Sequence, residues 1–164
     1  MKKLVKLMMS VLLVTISALV MTGCNPKIDG ARFLITKAII KVDYTAGKDT
    51  KEDKSDDIFD VSLSLTMTVN NTQNIEILVE KDKFAFSENY ETFYFYDGII
   101  VSGTGVNSGI AAPSPEGSTV VSWFKFELTF GGGYTDAQLE QLRSSLTMSY
   151  KGTKLNLPLV IQGK

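Results

Sequence analysis

The chain holds one cysteine, Cys24, and no histidine. A lone thiol can be alkylated or acylated, but it cannot close an intramolecular disulfide. Without histidine the Ser-His-Asp and Cys-His catalytic sets and the Cys/His zinc sites are excluded. The commonest general base and pH switch is missing as well. Carboxylates and aromatic rings remain. The densest acids are Asp49, Glu52, Asp53, Asp56 and Asp57. Calcium takes spaced carboxylate oxygens, yet this stretch lacks the central glycine of an EF-hand loop. Lys48, Lys51 and Lys54 interleave with the acids, so the stretch reads as a solvated loop. Two carboxylates could serve glycoside hydrolysis, but spacing singles out no pair. Tyr90, Phe93, Tyr94, Phe95, Tyr96 and Trp123 form an aromatic-rich group. Half of such rings fill a core when they lie on strands. Tyr94, Tyr96 and Trp123 fall opposite the apolar faces described below, which makes them the candidate binding patch. The glycines between Gly103 and Gly109 follow no phosphate-cradling spacing, and Asn70-Asn71-Thr72 reads as a turn. No motif calls for a cofactor or a metal.

The setting of Cys24 gives it meaning. Lys2, Lys3 and Lys6 precede a 14-residue apolar run from Leu7 to Val20, and small residues follow. That order is an export signal. The run is short for a spanning helix, which wants about 20 apolar residues. An uncleaved anchor and an ordinary secretory signal are the competing readings. Met21-Thr22-Gly23-Cys24 resembles the lipobox of bacterial lipoproteins, with Met in place of the usual Leu. The resemblance implies cleavage between Gly23 and Cys24 and a diacylglycerol on the Cys24 sulfur. Two acyl chains give stable membrane anchoring where one gives only marginal binding.

The segments expected are residues 1–23 as signal peptide, 24–30 as lipidated N-terminus and polar linker, and 31–164 as one domain. Without the three leader lysines, the 17 basic residues fall to 14 against 18 acidic ones, a net charge of −4. Such a domain is a poor partner for nucleic acid.

The domain carries strand signals almost throughout. Val61, Leu63, Leu65, Met67 and Val69 alternate with Ser62, Ser64, Thr66 and Thr68, the period of a strand with one buried and one wet face. Its length predicts a bulge or bend. Further strands are expected at Arg32–Tyr44, Ile75–Glu80, Lys83–Ser87, Thr119–Phe130, Leu146–Tyr150 and Lys154–Leu159. Asp97-Gly98 predicts a type I′ hairpin between Thr92–Tyr96 and Ile99–Ser102. One helix is expected after Gly131-Gly132-Gly133. Thr135 and Gln138 fit a capping box, and Leu139, Leu142 and Leu146 form one stripe. Thr45–Asp57 and Gly103–Gly117 read as long loops.

About eight short strands and one connecting helix predict an all-β fold, an immunoglobulin-like antiparallel β-sandwich, with a small barrel as the alternative. From Arg32 onward the layout resembles the immunoglobulin-like domains of many small bacterial lipoproteins. The residues carrying it are FLITKAIIKV, the charged loop to Asp57, VSLSLTMTVNNTQNIEI, KFAFSENYETFYFY and the late FKFEL. The VSLSLTMTVNN segment is also similar to the sandwich domain of desiccation-related proteins. The resemblance implies a non-catalytic binding, adhesion or structural domain, lipid-anchored outside the cytoplasm on the cell membrane or outer membrane. Its expected partners are the bilayer, through acylated Cys24, and envelope proteins or glycans. The alternatives are a solute- or sugar-binding accessory lipoprotein and a carboxylate-based hydrolase. A contiguous exposed apolar patch favours the first reading. A deep pocket lined by Tyr and Trp favours the second. Two acids in a cleft, roughly 5–9 Å apart, are needed for the third.

Overall fold

The computed structural model describes residues 25–46, 57–101, 103–116 and 118–163. The leader with Gly23 and Cys24, and the acidic stretch apart from Asp57, lie outside the described residues. Eleven strands and one helix are found among the described residues. They are β1 (Lys27–Ile28), β2 (Ala31–Ala46), β3 (Ile58–Asn71), β4 (Ile77–Glu80), β5 (Phe84–Phe86), β6 (Thr92–Asp97), β7 (Ser108–Ala111), β8 (Val120–Tyr134), α1 (Asp136–Ser145), β9 (Met148–Tyr150), β10 (Thr153–Leu155) and β11 (Leu159–Gln162). The fold is all-β, as the alternation predicts.

The main sheet runs β1-β2-β3-β8-β6 in antiparallel order, and β11 joins β2 in parallel along Ala38–Lys41. Its inner face takes one residue in two from each long strand. Phe33, Ile40, Leu63, Leu65, Met67, Phe95, Phe124, Phe126 and Leu128 are all buried there. Two short sheets, β10-β9-β5 and β4-β7, cover that face together with α1. Tyr150 of β9 stacks on Phe33, and Phe84 of β5 meets Phe126 edge-on, with centroids 4.8 Å apart in both pairs. The Tyr150 hydroxyl donates to the Leu78 carbonyl and accepts from the Glu80 N–H, each at 3.3 Å. One phenol thus joins the two short sheets.

The helix begins where the sequence places it. Thr135 caps the Gln138 N–H, and the Gln138 side chain returns to the Thr135 N–H at 2.9 Å. The bulge expected in β3 falls in its partners instead: β8 carries the extra residues opposite Phe59–Ser62, and β2 carries them between Ile35 and Lys37 and between Tyr44 and Ala46.

Four further expectations need correction. Ile99–Val101, the described part of the strand expected after Gly98, are not strand, so the hairpin at Asp97-Gly98 does not form. Gly98 has φ +95°, but the chain beyond it folds over the edge of β6. Val106 N–H then bonds the Phe95 carbonyl at 2.7 Å, and β7 pairs with β4 in the other layer. Strand β7 itself lies inside the stretch read as a loop. The three glycines do not end β8, which continues to Tyr134 with Gly131 and Gly133 both at φ +88°. Finally, Lys27 and Ile28, within the expected linker, are already strand β1.

Candidate functional site

The outer face of the main sheet is covered by neither short sheet. Register assigns its rows: Leu34–Thr68–Trp123, then Thr66–Lys125–Tyr96, then Ile39–Ser64–Glu127–Tyr94, then Lys41–Ser62–Thr129–Thr92. Alternation therefore puts Tyr94, Tyr96 and Trp123 on one face. They differ in access. Trp123 is 46% exposed, Tyr94 is half-buried, and Tyr96 is 5% exposed. The loop after Gly98 curls onto this face, and the Tyr96 hydroxyl donates to the Gly103 carbonyl at 3.4 Å. Burial, with the Glu127 carboxylate adding to it, raises the Tyr96 phenol above its ordinary range. As a contact surface Tyr96 is closed.

Polar groups hold the middle of the face. Lys125 and Glu127 form an ion pair at 3.1 Å, and the Thr92 and Thr129 hydroxyls lie 2.6 Å apart. Lys41, Ser64, Thr92, Tyr94 and Glu127 line a depression of about 200 Å3. At one end of the sheet Asp43, Asp60 and Glu91 line another of about 390 Å3. Glycine makes room for it. A Cβ on Gly131 would collide with the Glu91 carboxylate, and one on Gly132 with that of Asp60. All three acids are exposed. Among the described residues, no three His, Cys, Asp or Glu side chains are grouped to hold a metal ion.

A wider groove, about 680 Å3, opens beside the edge of β6. Phe84, Phe93, Tyr90 and Leu78 line it, with Glu80, Lys81 and Asp82 among the polar residues. The Lys81 ammonium sits 5.1 Å from the Phe93 ring centroid. Trp123 takes no part in it, so the groove is not the Tyr- and Trp-lined pocket that would point to a sugar site.

Exposed apolar side chains also occur on the segments that meet where β6 ends, at which Gly98 N–H bonds the Trp123 carbonyl. Ile99 is 62% exposed, Ile100 80%, and Val121 45%, with Val101 and Trp123 beside them. Sequence reading assigned Ile99–Ser102 to a strand and so missed them. Their signal was three consecutive branched residues with no polar alternation.

Phenols also set the response of the domain to alkali. Burial raises Tyr150, Tyr96 and Tyr134, and the Asp29 carboxylate, 2.6 Å from its ammonium, raises Lys151. The unfolded chain releases phenolic protons from about pH 10, before the folded one does. Stability is therefore fully present below that pH and falls above it. The Lys151–Asp29 pair acts in the same sense, being present below about pH 10.5 and lost as pH rises through the folded value of the lysine. We expect urea midpoints that fall steeply as pH rises above about 10. A flat profile there would contradict buried phenols.

Comparison with protein-family models, with curated proteins and with solved structures found no match to this chain. Among the described residues no helix is long and apolar enough to cross a membrane.

Proposed function

We propose that this chain is a lipid-anchored protein of the bacterial cell envelope. In this reading the β-domain is an immunoglobulin-like sandwich that works by non-covalent contact, in adhesion, assembly or ligand capture. The carrying observation is the position of Cys24. It directly follows an export-type leader and directly precedes Asn25, which lies two residues before the first strand, β1. Signal cleavage at Gly23–Cys24 would thus leave almost no spare chain between anchor and domain. The layering of two short sheets over one face of a larger one supports the sandwich. The exposed apolar corner at Ile99, Ile100 and Trp123 supports a contact function.

Growth of expressing bacteria with an alkynyl fatty acid tests the anchor. The wild-type chain should carry the label on its N-terminal fragment. Cys24→Ala should reduce the label to background, because no thioether can form. Absence of label from the wild-type chain would refute the reading.

A further inference from the structure

The connection between anchor and sheet is too short for the domain to stand clear of a membrane. Consecutive Cα atoms are about 3.8 Å apart. Cys24 is followed by Asn25 and Pro26, and the Pro26 carbonyl already accepts from the Phe33 N–H at 3.3 Å. In β1, Lys27 pairs with Arg32, which brings Asn25 level with Leu34. The Leu34 row continues through Thr68 to Trp123, and Gly98 N–H bonds the Trp123 carbonyl at 2.8 Å. Neighbouring strands lie about 4.8 Å apart, so Asn25, the residue after the anchor, and Trp123 lie at the two ends of a row roughly 14 Å in length.

That end of the outer face is apolar where it is most open. Trp123, Val121 and Leu34 stand on the strands, and Ile99, Ile100 and Val101 stand on the loop beside them. Lys27 and Arg32 occupy the adjacent row, on the same face as Leu34. Two carboxylates on the adjoining segments, Asp29 after β1 and Asp97 at the end of β6, have partners of their own. Asp29 pairs with Lys151 at 2.6 Å, and Asp97 accepts the Ile110 N–H at 3.2 Å.

We propose that this corner lies on the lipid bilayer, with Trp123, Ile99 and Ile100 seated at headgroup depth and Lys27 and Arg32 meeting lipid phosphates. The inference rests on lipidation of Cys24. Tryptophan favours the interface, where its ring meets the acyl boundary and its N–H meets water. The irregular backbone of the loop is tolerated there because water still reaches it, as it would not in the hydrocarbon core. Bringing the anchor and this corner to one surface turns the rest of the domain, including the groove at Tyr90 and Phe93, away from that contact.

Trp123 is the only tryptophan, so intrinsic fluorescence reads this face without a label. The lipidated full protein is reconstituted into phosphatidylcholine–phosphatidylglycerol vesicles with acyl chains brominated close to the headgroup. We expect emission to drop roughly twofold or more against unbrominated vesicles, with protection from iodide, as for an interfacial indole. The double variant Ile99→Ser, Ile100→Ser should recover most of that emission while still sedimenting with vesicles through Cys24. Unquenched, iodide-accessible Trp123 in protein whose Cys24 mass shows the diacylglyceryl group would overturn the docking and leave the anchor standing. An unmodified Cys24 would overturn both. Concentration-dependent protection without bromolipid quenching would assign the corner to a second copy of the chain and overturn the bilayer contact.

Discussion

Replacing Phe126 with alanine should lower the unfolding free energy by about 3–5 kcal/mol, the range for removing a fully buried phenylalanine. Phe126 is 0% exposed and stands on β8 in the middle of the inner face. Its ring centroid lies 6.0 Å from Phe93, 5.2 Å from Phe95 and 4.8 Å from Phe84. The first two contacts stay within the main sheet. The third crosses to β5 and is nearly perpendicular, at 80°, the geometry that aims a positive ring edge at a negative ring face. Alanine would remove all three contacts and leave a cavity between layers pinned on both sides by hydrogen-bonded strands. Such a cavity collapses poorly, which is what makes these substitutions costly. Domains of this size have about 5–15 kcal/mol of stability in all, so the variant should unfold at far lower urea. Urea melts of wild type and Phe126→Ala should differ in midpoint with little change in slope. Coincident midpoints would mean that the two layers do not share this core.

Much of the architecture was legible because it is local. Strict alternation from Val61 to Val69 names a strand and its buried face without any knowledge of neighbours, and the same holds for Phe124 to Phe130. The capping box at Thr135 and Gln138 is a contact between residues three apart, so sequence alone can reveal it. What failed was non-local. Asp97-Gly98 correctly signals positive φ at Gly98, but a turn residue cannot say which strand comes next. The chain leaves the sheet there because β4 needs β7 as its partner, and the four residues of β7 carry too weak a pattern to announce themselves. Strand β11 has the same problem. It is short, follows Pro158, and pairs in parallel with a strand more than a hundred residues earlier. The triple glycine reads as a break, yet its residues bulge β8 and clear space for Glu91 and Asp60.

The candidate surface divides along the same line. Alternation placed Tyr94, Tyr96 and Trp123 on one face, and pairing with Glu127, Lys125 and Thr68 agrees. It could not show that the Gly103 carbonyl comes down over Tyr96. Nor could it show that Ile99 and Ile100 stay exposed at the end of β6, because the chain there leaves the main sheet for β7 in the other layer.

Asn71 makes the strongest case for a polar side chain as a structural hinge pin. It ends β3, is 0% exposed, and interrupts what would otherwise be an apolar corner. Its amide nitrogen donates to the carbonyls of Ile75 at 2.7 Å, Ala112 at 3.1 Å and Ala111 at 3.2 Å, and its amide oxygen accepts the Gln73 N–H at 2.9 Å. Its own carbonyl takes the Ser114 hydroxyl, whose oxygen in turn accepts the Val120 N–H at 2.8 Å. One residue therefore fixes the turn after β3, the end of β7 and the start of β8. Asn71→Leu keeps the volume but strands those carbonyls and one N–H, each costing about 1–3 kcal/mol where water cannot reach it. We expect a loss of roughly 3 kcal/mol, with little dependence on pH. Asn71→Asp separates donor loss from shape. An ionised carboxylate there would face three carbonyl oxygens with no proton to offer, so the folded state should hold its acid proton well above the ordinary range. A folded pKa raised in this way means that the native state binds more protons than the unfolded chain. The variant's deficit against wild type is therefore smallest near about pH 4 and grows as pH rises toward neutrality. Urea midpoints for wild type and both variants across that interval decide the point. If the Asp variant tracks wild type at a constant offset, the amide hydrogens of Asn71 are not what holds this corner.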